Sequence, residues 1–155
     1  MKATRFLLNA AAAVFLSAVV HAETITYSAV PRGSMMKIEG TSTVHDWTVE
    51  CQVIGGRMEL DSNFPLDPTQ EPPKDLKVKP VVKVIIPVRQ LKSGKSPMDT
   101  VMHNAMNIET HPSIEYELLE MTPKGKADKG LKFATKGALK VNGVTQTNEF
   151  DVIIT

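Results

Sequence analysis

The sequence predicts an all-β protein, an antiparallel sheet curled into a barrel, with one short helix inserted between strands. Three observations predict it. Trp47, Val49, Cys51 and Val53 alternate with Thr48, Glu50 and Gln52. Successive side chains of a strand point to opposite faces, so this stretch has one dry side and one wet side. Asn142-Gly143, the preferred two-residue reversal, separates two long alternating runs. From Met35 onward about seven such strands share a dry face. A sheet that long curls on itself, and closure also removes its unpaired edges.

In chain order, Lys2 and Arg5 precede an apolar run over Phe6–Val20, and Val20-His21-Ala22 offers the small residues of a cleavage site. This reads as an export leader over 1–22. The alternative, a membrane anchor, is disfavoured because the run is shorter than the ~20 residues that span a bilayer. Residues 23–155 then form one domain, periplasmic or secreted. Without Lys2 and Arg5, sixteen Lys and Arg face seventeen Asp and Glu, so no basic surplus points to nucleic acid. The single cysteine, Cys51, forms no internal disulfide and reads as a small buried hydrophobe.

Glu23–Ser34 is a lead-in with a short strand at Ile25–Val30, broken by Pro31 and Gly33. Met36 and Ile38 are dry on even numbers, whereas Trp47 to Val53 are dry on odd ones. The parity switch places a tight turn or a bulge within Gly40–Asp46. Gly55-Gly56 is expected to reverse the chain, with Met58 and Leu60 resuming the dry face as the third strand of a meander. Asp61–Pro80 carries five prolines and reads as a surface loop, either a lid or a disordered segment. Val82, Val84, Ile86 and Val88 form one face of a strand that Pro87 ends or places at an edge. Arg89–Lys95 is a turn.

Ser96-Pro97-Met98-Asp99 then starts a helix, with Ser96 as its cap. Met98, Val101, Met102, Ala105 and Met106 make one apolar stripe, and His111-Pro112 is the stop. Ile114, Tyr116 and Leu118 form a strand, a bulge follows at Leu119, and Thr122–Gly130 is expected to be a turn. The closing hairpin pairs Val141 with Val144, Thr135 with Phe150, Phe133 with Val152 and Leu131 with Ile154. The apolar residues of both arms then share a face.

The inward set comprises Trp47, Val49, Cys51, Val82, Val84, Ile86, Ile114, Tyr116, Phe133, Phe150 and Val152, with Met98, Met102 and Met106 from the helix. By periodicity alone this is a filled core, since small barrels stand at the boundary between a packed interior and a single-ligand cavity. The methionines favour a cavity, being flexible and polarizable. No nucleophile, base and orienter assemble; Ser34, Ser42 and Ser96 read as turn or cap residues, so no enzyme is expected. His103 and His111 lack ligand-spaced partners, and no metal or cofactor is expected.

Five segments occur together and in order: G-T-S-T-V-H-D-W, V-I-I-P-V-R-Q-L-K-S-G, P-M-D-T-V-M-H-N-A-M-N, H-P-S-I-E-Y and G-A-L-K-V-N-G-V-T. Together they resemble the YceI-like family of exported bacterial lipid-binding proteins, over roughly Met35 to Thr155. The resemblance implies an eight-stranded lipocalin-like antiparallel β-barrel holding an isoprenoid chain, either a polyprenyl lipid or a quinone tail. It implies that the inward set lines the ligand, and that further strands follow Thr155 to close the barrel. It offers no catalytic motif. His45, Asp46 and Arg89 are candidates for head-group contact, against the simpler reading of local turn charges. An apolar lipid is the expected partner; transient membrane contact and a homodimer stay open. The alternatives are a filled-barrel stress or interaction protein and a quinone-bound accessory of membrane redox proteins.

Overall fold

The computed structural model describes residues 23–30, 33–62, 64, 67, 70–72 and 80–155. The expected leader over 1–22, and most of the proline-rich loop, lie outside these. The described chain forms eight strands, one α-helix and one short 3-10 helix (Val88–Gln90, after β5): β1 (Thr24–Ser28), β2 (Met36–Gly40), β3 (Trp47–Cys51), β4 (Gly55–Asp61), β5 (Val81–Pro87), α1 (Ser96–Ala105), β6 (Ser113–Ala127), β7 (Gly130–Val141) and β8 (Val144–Ile154). Six strands form one antiparallel sheet in the order β1-β4-β5-β6-β7-β8, and β2 pairs with β3 in a separate two-stranded sheet. Both sheets are antiparallel, so the mostly-β class with one inserted helix is as expected, but the strands divide into two sheets where one curled sheet was expected. No strand pairing closes the ring among the described residues.

The closing hairpin has the expected register from Leu131↔Ile154 to Val141↔Val144. Asn142 and Gly143 both take positive φ, 49° and 77°, which matches the right-handed twist of the flanking strands. The bulge near Leu119 is also present, as a register shift between Leu118 and Glu120. The parity switch before Trp47 is a hairpin connection, in which Met36 faces Cys51, Ile38 faces Val49 and Gly40 faces Trp47. Ser42 organises that connection: its Oγ accepts from the Val44 and His45 amides and donates to His45 O.

Other expectations are corrected. Residues 35–60 are not a three-stranded meander, because β4 pairs with β1 and β5 and never with β3. Alternation sets the dry face of a strand but not its partner. Gly55 and Gly56 lie inside β4, opposite Ile85 and Val84. A Cβ on Gly56 would sit 2.8 Å from Lys83 O, so close backbone approach explains that glycine, not a reversal. Val53 follows β3 and is 43% exposed, outside the dry set. Thr122–Gly130 is not a turn either. β6 continues to Ala127, accommodating Pro123 through a second register shift between Pro123 and Gly125, and only Asp128-Lys129 turns.

Of two apolar clusters, the first joins the sheets and the second packs β4 against β7 within the large sheet. One gathers Val49, Cys51, Ile86, Val88, Leu91 and Ile114, joining the small sheet and α1 to one end of the large sheet. The other gathers Leu60, Phe64, Leu131 and Phe133 near its other end.

Candidate functional site

The interior is built from one side of several strands, while β1 is exposed throughout. On β5, Val82 and Val84 are half-buried and Ile86 is buried, while Val81, Lys83 and Ile85 are exposed. On β7, Leu131, Phe133, Thr135 and Gly137 are all buried. Between the two clusters the inward side chains are incompletely covered: Val82, Tyr116, Leu118 and Val152 stay half-buried and Phe150 is 45% exposed. The rings of Tyr116 and Phe150 meet there at 5.6 Å. The Tyr116 hydroxyl is buried with no hydrogen-bond partner among the described residues. Burial pushes its pKa up, and the nearby Thr135 hydroxyl, which donates to Phe150 O at 2.8 Å, offsets this only partly.

Over one end of this concave face lies α1. Its methionines at positions 98, 102 and 106, one per turn, pack on the first cluster, whereas Val101 on the flank is 69% exposed. The helix is fixed by polar bonds at both ends and along its length. Ser96 is its first residue and makes no cap; Lys95 holds the cap position without a side-chain bond. Asp99 supplies the tie, its carboxylate accepting from the Ser93 amide at 2.8 Å and the Ser93 hydroxyl at 2.6 Å. The hydroxyl first and the amide second hold the Asp99 carboxyl below the usual range. His103 Nε2 lies 3.1 Å from Leu91 O, and since a carbonyl only accepts, the ring donates. At the C-terminal end Asn107 Nδ2 donates to Asn142 Oδ1 at 2.9 Å and Asn142 Nδ2 donates to Ala105 O at 3.3 Å.

Beneath α1, against β3, opens a cleft of about 490 Å³ lined by Trp47, Val49, Pro97, Met98, Val101 and Met102. It has no charged wall. A larger groove of about 610 Å³, on the other side of β3, is bounded mainly by polar groups, among them Thr48, Glu50, Gln52 and Lys92. Ligand pockets are lined mainly by apolar side chains, so the smaller apolar cleft is the candidate site.

Of the sequence-derived lining set, Trp47, Val49, Met98 and Met102 meet in this cleft. Cys51, Val84, Ile86, Met106 and Ile114 lie in the adjoining cluster, where the Cys51 thiol donates to Val53 O at 3.2 Å. Phe133 belongs to the second cluster, stacked on Phe64 with centroids 5.5 Å apart. Phe150 and Val152 lie on β8. The head-group candidates do not line the cleft. His45 and Asp46 are exposed, with His45 Nδ1 3.1 Å from Asp46 O, and exposed Arg89 is 3.4 Å from Glu109. Leu91, 0% exposed, and Phe64, 4% exposed, were invisible to periodicity because each lies in a connection. The one available signal was that Phe64 is the only aromatic within 61–80. Among the described residues no three His, Cys, Asp or Glu side chains converge as a metal site requires. No described helix is long and apolar enough to cross a membrane.

A family model described as the YceI-like domain matches residues 16–155. Among solved structures, the fold is similar to Burkholderia cenocepacia BcnA, with a TM-score of 0.53 at 12% identity. The alignment covers 77% of this chain, which spans 65% of the length of BcnA. No curated protein matches the sequence.

Proposed function

The chain belongs to the YceI-like domain family, and from that premise we propose that it binds and carries a long-chain isoprenoid lipid, a polyprenyl or quinone tail, without chemistry. One observation carries the reading: the apolar cleft under α1 adjoins a concave sheet face whose inward side chains stay half-exposed between two packed clusters. A molecule that fulfilled its role as a filled scaffold would gain stability by covering that face.

Burial contributes about 0.8 kcal/mol per CH₂, so each five-carbon isoprene unit offers roughly 3–4 kcal/mol before ordering costs. A few buried units suffice for tight binding, and the tail supplies the affinity. The head group then needs few contacts, in keeping with an apolar cleft that His45, Asp46 and Arg89 do not line. Export to the periplasm or outside the cell, and a transient membrane contact for loading, belong to this reading.

Organic extraction of the protein purified from its own host, followed by mass spectrometry, tests it. A co-purifying polyprenyl species supports a carrier and a quinone supports a redox accessory. An empty extract, together with no uptake of added geranylgeraniol, refutes lipid carriage and leaves the filled scaffold.

A further inference from the structure

We infer that Gly40 is a positioning residue for the cleft: the missing side chain there lets the Trp47 indole lie flat across β2 as one wall. The inference rests on the lipid-binding reading above. Gly40 and Trp47 are direct cross-strand partners in the small sheet. A Cβ on Gly40 would come within 2.2 Å of Trp47 Cζ2, 2.4 Å of Cε2 and 2.8 Å of Cη2. All three belong to the six-membered ring, so the indole occupies the space above the glycine.

Backbone freedom does not account for this glycine, because Gly40 is not among the residues with positive φ. Its role is space. An alanine fits the backbone of β2, and the strain falls on the indole, which must rotate off the strand. Trp47 lines the cleft opposite Met98, Val101 and Met102, so a displaced ring changes the room left for ligand. The same construction recurs deeper in the interior, where a Cβ on Gly137 would meet the Tyr116 ring at 2.2 Å. Two aromatic walls thus each lie over a glycine of the neighbouring strand.

Trp47 is the only tryptophan, so its emission reports this wall directly. The test is a double-mutant cycle with geranylgeraniol as probe, read by calorimetry on wild type, Gly40→Ala, Trp47→Leu and the double variant. Gly40→Ala should shift the tryptophan emission and change affinity by about tenfold, while circular dichroism stays that of the wild type. In the Trp47→Leu background the same glycine change should alter affinity less than about twofold, because the leucine carries none of the atoms the new Cβ would meet. A merely structural glycine would show the same loss in both backgrounds, which overturns the inference and leaves lipid binding intact. Unchanged emission and affinity in Gly40→Ala also overturn it. A wild type that takes up no geranylgeraniol removes the lipid reading itself, and this inference with it.

Discussion

Phe64 ties the proline-rich connection to the sheet, and its removal has a calculable cost. The ring is 4% exposed, stacks on Phe133 with planes 29° apart, and shares a cluster with Leu60 and Leu131. Its turn is closed by the Phe64 amide donating to Asp61 O at 2.8 Å. Burying a phenylalanine contributes about 1.5–3 kcal/mol, and an aromatic pair adds about 0.5–1.5 kcal/mol. Phe64→Ala should therefore destabilise by about 2–4 kcal/mol, toward the lower end because a connection collapses into the gap more readily than a strand does. Urea unfolding followed by tryptophan emission measures it. With a slope of about 1–3 kcal/mol/M, the midpoint should fall by roughly 1–2 M. Phe133→Ala, in the middle of β7, should cost more, about 3–5 kcal/mol, and the double variant should fall short of additivity by about 1 kcal/mol. A loss below about 1 kcal/mol for Phe64→Ala, with full additivity, would show that the ring is no part of the cooperative core.

Tyr116→Phe removes a buried hydroxyl that has no hydrogen-bond partner among the described residues, so it should raise stability by about 1 kcal/mol in the same unfolding assay; a comparable loss would reveal a hydrogen bond to that hydroxyl. Leu91→Ala should cost about 2–5 kcal/mol by cavity formation in the first cluster, and an effect under about 1 kcal/mol would remove Leu91 from the core. Two carboxyls, Asp99 and Asp151, lie below the usual range, Asp151 because Lys132 and then Lys124 bond to it. Depressed folded values mean that their contribution is present above the unfolded value of about 3.9 and is lost as pH falls through the folded one. Stability measured between about pH 6 and pH 2 should therefore decline from near pH 4 downward, and Asp99→Asn with Asp151→Asn should flatten that decline. An unaltered profile would refute the assignment. Salt should weaken the Asp151 part most, since that carboxylate is on the surface.

What the sequence revealed depended on how local the determinant was. Asn142-Gly143 sets its own register, so the pairing of β7 with β8 was legible residue by residue. The methionine stripe and the bulge after Leu118 were legible for the same reason, because both are breaks or repeats in a short-range period. Partners distant in sequence were not. Nothing in the alternation of β3 and β4 separates them into different sheets, and nothing near Leu91 announces that it will be fully buried. The start of α1 misled in an informative way. Ser96 has the right side chain for a cap, but Asp99 reaches back to Ser93 and performs the tie from inside the first turn. Of the cleft, the methionine and tryptophan walls were legible in the periodicity; Val101, on the same expected stripe, stands at its edge and is largely exposed.

If the proposed lipid reading holds, the attachments of α1 bear on how hydrocarbon chains of unequal bulk would be accommodated. Ser93 grips its first turn, Leu91 its middle and Asn142 its end, all through polar bonds to neighbouring backbone or side chains. The rod is splinted in place, so swelling of the contents does not have to lift it. Adjustment falls instead to the thioethers on its underside, whose three single bonds each swivel at little cost.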